Sequence, residues 1–169
     1  MTVDRRGDDV VRLSHVDETG AARMVDVGDK DITRRTASAE GRIVMSAEAF
    51  ARVRDNAVAK GDVLGVAKVA GIQAAKRTAD LVPLCHPLGL DHIEVELLLE
   101  EGPRAVRVTA KVSTEGRTGV EMEALTAVSV ACLTVYDMAK ALDRGMRIEG
   151  IRLLTKTGGR SGDWIAPRP

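Results

Sequence analysis

Two charged residues three apart, Asp137 and Lys140, interrupt the apolar run "LTVYDMAKAL". On a helix that spacing puts them on one face, where they pair. An exposed pair would be worth only roughly 0.3–0.5 kcal/mol. The apolar neighbours instead predict a largely buried pair, where unpaired charge is costly and a lysine beside a carboxylate serves acid, base or phosphate chemistry. At the head of the same run, Glu121 and Glu123 flank Met122 in "TGVEMEA". Carboxylates are favoured at a helix N-terminus, so simple capping accounts for them, and only one of the two looks easily into a pocket.

Lys60 lies in "AKGDV" beside a glycine that lets a ligand come close, although an exposed loop lysine is the commoner state. Lys76 and Asp80 are four apart and suit a surface pair. In "PLCHP" the prolines stiffen a bend that holds Leu84, Cys85 and His86. His86 is the better candidate for a directed hydrogen bond, and Cys85 for small apolar filler. Zinc takes three or four ligands at recognisable spacings, and only His15 and His92 remain to help, so no metal is expected. The glycine-rich "KTGGRSGD", residues 156–163, looks mobile and offers backbone N–H groups with the cations Lys156 and Arg160, as a phosphate nest does. It lacks the Gly-Lys-Ser/Thr ending of a phosphate loop.

These residues need a scaffold, and 169 residues suit a single catalytic domain, 1–169, with a real core. Apolar residues make up 44% and charged residues 30%, a balance unlike that of disordered or membrane chains. Lys+Arg and Asp+Glu both count 25. No overall positive field gathers nucleic acid, so any anion site is local. The start lacks a signal peptide's apolar core and no apolar run looks long enough to cross a bilayer, which gives a cytoplasmic address by default. Cys85 and Cys132 are then expected as free thiols.

The punctuation predicts an irregular head over 1–35, its first twelve residues a flexible extension. A strand over 36–45 follows, then a helix from 47 capped by Ser46, and a long helix over 63–81 capped by Asp62. Strands over 92–100 and 105–114 flank the turn "EGPR". A second long helix spans 118–144, and a last strand spans 147–156. Small residues along the first long helix, among them Gly65, Ala67 and Gly71, leave room for close approach. An antiparallel sheet with the helices on one face is an α+β layer resembling a ferredoxin-like sandwich.

Four blocks, "HVDETGAARMVDVGDK", "AGIQAAKRTADLVPLCHPL", "TGVEMEALTAVSVACLTVYDMAKA" and "LLTKTGGRSGD", together resemble the MoaC family over residues 13–163. The resemblance implies a lyase that converts a cyclised dihydroguanosine triphosphate to a cyclic pyranopterin monophosphate, releasing pyrophosphate without an organic cofactor. It implies that Asp137, Lys140 and Lys60 are catalytic. It places Leu84, Cys85, His86, Met122 and Glu123 in the substrate pocket, with Arg35, Lys76, Glu121 and Lys156 also on matching positions. It further implies a homohexamer, a trimer of dimers with pockets at the dimer interface. Ala139 stands where the family often has cysteine, and Lys68 where arginine is common; neither removes a catalytic group. A non-catalytic nucleotide- or pterin-binding regulatory module is the alternative.

Overall fold

The computed structural model describes residues 20–167, so the expected N-terminal extension and His15 lie outside the described residues. The elements run β1 (Thr33–Val44), α1 (Ala47–Arg54), α2 (Val63–Ala75), α3 (Thr78–Leu81), β2 (His92–Glu100), β3 (Ala105–Gly116), α4 (Glu121–Ala139), β4 (Arg147–Thr157) and β5 (Trp164–Ile165). All strand pairs are antiparallel, in the order β2-β3-β1-β4-β5.

Alternation along the central strands decides which face is covered. Ala37, Ala39 and Ile43 of β1 and Val106, Val108, Ala110 and Val112 of β3 are buried. Helix α4 lies on that face through Val128, whose Cγ1 reaches the backbone at Gly41 of β1. Helix α2 packs beside it where Gly71 meets Ala127, Ala131 and Val95, so the small residues do admit a partner helix. The result is the expected ferredoxin-like α+β layer, with β5 as a short extra edge.

Several boundaries depart from the sequence reading, among them the start of α4 at Glu121 in place of 118, and three have a clear cause. Strand β1 starts at Thr33, because Thr33, Arg34 and Arg35 pair with Gly116, Glu115 and Thr114. Arg35 is therefore on a strand and not in the head. Pairing with a distant strand overrides a locally featureless polar segment. The long helix expected over 63–81 breaks at Lys76 and Arg77, where the buried Thr78 turns its hydroxyl back onto the Ala74 and Ala75 carbonyls. Helix α4 stops at Ala139, five residues short of the expected end. Beyond it the Asp143 carboxylate accepts from the Ser46 and Gly145 amides, and the Tyr136 hydroxyl donates to the Arg144 carbonyl.

By length and composition α4 passes for a membrane span, contrary to the sequence expectation, but over half of it is buried within this fold. Its stripe of Ala124, Ala127, Val128, Ala131, Cys132 and Val135 is fully covered. Cys85 and Cys132 are both free thiols.

Candidate functional site

The last turn of α4 holds Asp137 between two lysines. Lys140 Nζ donates to Asp137 Oδ1 at 2.5 Å and Lys60 Nζ to Oδ2 at 2.7 Å. Lys60 also donates to the Asp137 main-chain carbonyl at 2.9 Å. Lys60 reaches α4 because its loop leads into α2, which Asp62 starts by accepting from Gly65 N at 2.9 Å. The hydrogen bonds from Lys140 and Lys60 hold the Asp137 carboxyl down to about 2. Asp137 is thus a carboxylate at neutral pH, able to accept a proton or hold a lysine but not to act as an acid.

The expected burial of this pair is not found. The side chains of Asp137, Lys140 and Lys60 are 57%, 51% and 48% exposed. Val135, Met138 and Ala139 take the inward positions of the same turn, which leaves 137 and 140 on the outer stripe. Apolar neighbours in sequence were neighbours across the helix axis.

The opposite end of α4 carries a second group. Glu123 is only 4% exposed, and burial raises its carboxyl above the ordinary value. Burial, with the charge of Glu123 adding to it, raises the Cys85 thiol above its ordinary value. Leu84, Cys85 and His86 are all half-buried. Asp91 and Thr114 fasten the segment behind them: Glu115 N donates to Asp91 Oδ2 at 2.8 Å and the Thr114 hydroxyl to the Gly89 carbonyl at 2.5 Å. Met122 is exposed on the first turn of α4. Lys76, at the end of α2, is exposed and forms no ion pair with Asp80 among the described residues, since the helix break between them removes the four-residue geometry.

Beside that turn opens a cleft of about 520 Å³, within the usual range for small-molecule sites. Lys30, Arg35, Arg117, Lys156 and Arg160 line it against only Asp31 and Glu121 among acids. Arg35 is aimed by its Nε, which donates to the Gly116 carbonyl at 2.8 Å. The glycine-rich segment is folded back as one wall and is not a loose loop: Gly158 N donates to Asp163 Oδ1 at 3.1 Å, Lys156 bonds Ser161, and β5 returns to pair with Thr155 and Lys156. Gly158 and Gly159 have φ of +86° and +77°, and a side chain there would strike the Arg34 carbonyl and the Arg35 guanidinium. Only glycine lets this wall close on β1.

The described chain therefore gathers two groups and keeps them apart. Glu121 and Lys140 stand nineteen positions apart, about 28 Å at 1.5 Å per residue. The cleft, the 84–86 bend, Met122 and Glu123 share one end of α4, and Lys60, Asp137 and Lys140 the other. A family model described as "MoaC family" matches residues 24–159, a span that contains both groups apart from Arg160 and Ser161 of the cleft wall. The chain belongs to the MoaC family. It is 64% identical over 154 residues to the cyclic pyranopterin monophosphate synthase of Methylobacterium sp. (strain 4-46), covering 91% of this chain and 96% of that protein. The protein of the same name from Chloroflexus aurantiacus (strain ATCC 29366 / DSM 635 / J-10-fl) is 58% identical over 156 residues, 92% of this chain and 96% of its own length. That from Brucella ovis is 57% identical over 158 residues, 94% and 96% respectively.

Within this MoaC-family chain, Lys30 and Arg117 were missed as cleft residues. Neither carries a local signal: Lys30 comes from the irregular segment before β1 and Arg117 from the turn between β3 and α4, and only the β1–β3 pairing brings them together.

Proposed function

We propose that the chain is a cyclic pyranopterin monophosphate synthase of molybdenum cofactor biosynthesis, a lyase that turns (8S)-3',8-cyclo-7,8-dihydroguanosine 5'-triphosphate into cyclic pyranopterin monophosphate and pyrophosphate. The observation that carries the reading is the cationic cleft at one end of α4 with a lysine–aspartate–lysine group at the other. Five cations against two acids suit a triphosphate, and preorganised cations lower the barrier for a step that spreads charge over phosphate oxygens. In that step a ribose-derived hydroxyl bonds to the α-phosphorus as its bond to the bridging oxygen breaks and pyrophosphate departs. The purine rings also open and reclose, which needs protons moved at several atoms. Asp137 is the proton acceptor or lysine anchor, and Lys60 and Lys140 are the donors. Binding alone would not need that carboxylate, which disfavours a purely regulatory module.

A substrate of this size cannot touch both groups in one copy. We therefore assign each site to two subunits, Arg35, Lys156, Glu121, Glu123, Met122 and residues 84–86 from one and Lys60, Asp137 and Lys140 from its neighbour, with Lys76 beside the first group. A homohexamer built as a trimer of dimers provides such pairs, each subunit being one catalytic domain that works in the cytoplasm without metal or organic cofactor. The test is subunit mixing. Lys60→Ala and Arg35→Ala each abolish pyrophosphate and pterin formation from the cyclised triphosphate, and co-refolding the two variants restores both products by rebuilding one intact site per mixed dimer. Mixed oligomers that stay inactive would refute the shared site. An inactive wild-type protein would refute the reaction.

A further inference from the structure

The segment preceding β1 crosses the protein as a strap. Residues 23–32 form neither helix nor strand, yet Val25 and Val27 are half-buried while Met24 and Asp26 between them are exposed. Val25 is tied at its carbonyl, which accepts from His86 Nε2 at 2.8 Å. Two turns then steer the chain: Gly28 N donates to Asp26 Oδ1 at 2.8 Å and Lys30 N to the Val27 carbonyl at 3.1 Å. The strap ends by placing the half-buried Lys30 and the exposed Asp31 in the wall of the anion cleft, next to Thr33 at the start of β1.

His86 is well placed to hold such a strap. Its bend is stiffened by Pro83 and Pro87, fastened by Cys85 N to the Val82 carbonyl at 3.0 Å, and backed by the Thr114 and Asp91 bonds. The ring therefore presents Nε2 from a fixed base to a segment that has no helix or strand of its own. A carbonyl oxygen can only accept, so the ring carries its proton on Nε2 and donates it to Val25.

We propose that His86 is a positioning residue: it latches the strap at Val25 and thereby keeps Lys30, five residues on, inside the anion cleft. The latch rests on the cleft being the phosphate-binding part of the site assigned above, and it adds Lys30 to that part. It links two regions of the pocket, since the bend beside Glu123 then governs how many cations face the phosphates. Occupancy of the cleft in turn favours the latched strap, because coupling between two sites is reciprocal.

The experiment uses the full-length protein and pyrophosphate as probe. Calorimetric affinity and hydrogen exchange over residues 23–32 are measured for wild type, His86→Ala, His86→Gln, Lys30→Ala and the double variant His86→Ala/Lys30→Ala. His86→Ala weakens pyrophosphate binding about tenfold, the scale of one lost charge-assisted contact, and speeds exchange of the strap amides. His86→Gln, whose amide nitrogen has a similar reach, restores both to within about threefold of wild type. Lys30→Ala binds as weakly as His86→Ala while leaving strap exchange slow, and the double variant is no weaker than either single one. Unchanged affinity in His86→Ala, failure of glutamine to restore it, or additive losses in the double variant would each overturn the latch. Wild-type protein that binds pyrophosphate but makes no pterin product would sink the assigned reaction and leave the latch standing.

Discussion

Gly41 is the contact on which the placement of α4 depends, and Gly41→Ala tests it. A β-carbon there would lie 2.8 Å from Val128 Cγ1, 2.9 Å from Ile151 Cγ1 and 3.4 Å from Ile151 Cα. Val128 is fully buried, so α4 or the β4 backbone at Ile151 must shift outward, and overpacking of this kind costs about 1–3 kcal/mol. Against that, alanine reduces the freedom of the unfolded chain by about 0.4–1 kcal/mol. The net expectation is a loss of about 1–2 kcal/mol, or roughly 2–8 °C in the unfolding midpoint of a chain this long. Thermal and urea unfolding by circular dichroism read it directly. The cause is tested by adding Val128→Ala, which alone removes two buried methyls at about 0.8 kcal/mol each plus a cavity. In the double variant the new methyl occupies part of that space, so it is more stable than the sum of the singles by about 1 kcal/mol. Additive losses, or a Gly41→Ala variant as stable as wild type, would mean that α4 does not press on β1 at this point.

Asp137→Asn lowers product formation on the order of 10²-fold or more, the scale of a lost proton-transfer group, while the unfolding midpoint at neutral pH falls only slightly because the pair is largely exposed. With the folded carboxyl at about 2 against 3.8 unfolded, the stability its pairing contributes is fully present above the unfolded value and is lost as pH falls from there toward 2, so the small gap between wild type and variant closes over that range. Glu123→Gln raises neutral-pH stability by about 1 kcal/mol by removing a charge that burial disfavours. Its native carboxyl keeps a proton that the unfolded chain gives up near 4.5, so wild-type stability declines as pH rises from there through the raised native value, and urea titrations across pH should show that slope vanish in the variant.

Much of this fold was legible because local signals agreed with long-range packing. Ser46 and Asp62 cap their helices as oxygen side chains in that position should, and the alternation of β2 and β3 survives in their pairing. The errors fall where a long-range partner decides. "TRRT" has no period of its own and becomes strand only by lying along the end of β3. The exposure of Asp137 was within reach of the sequence: inward positions 124, 127, 128, 131, 135 and 138 leave 133, 137 and 140 outward on the same turns. The cationic cleft was not, since its residues come from the strap, from β1, from the turn before α4 and from the glycine-rich wall, and no spacing along the chain joins them.

The outward stripe of α4 also bears on why one helix should hold both halves of the chemistry. Between its charged ends it shows exposed Leu133, and α2 beside it shows exposed Val66 and Val69. A two-fold contact is self-complementary, so a second copy laid antiparallel on such a band would meet the same apolar residues at its middle and opposite ends at its margins. The N-terminal end of one α4, with its cleft and its 84–86 bend, would then face the partner's Lys60, Asp137 and Lys140. On the shared site proposed above, the length of α4 would serve as a ruler: it would keep the two groups too far apart to act together within one chain, and the same separation would make two sites per dimer.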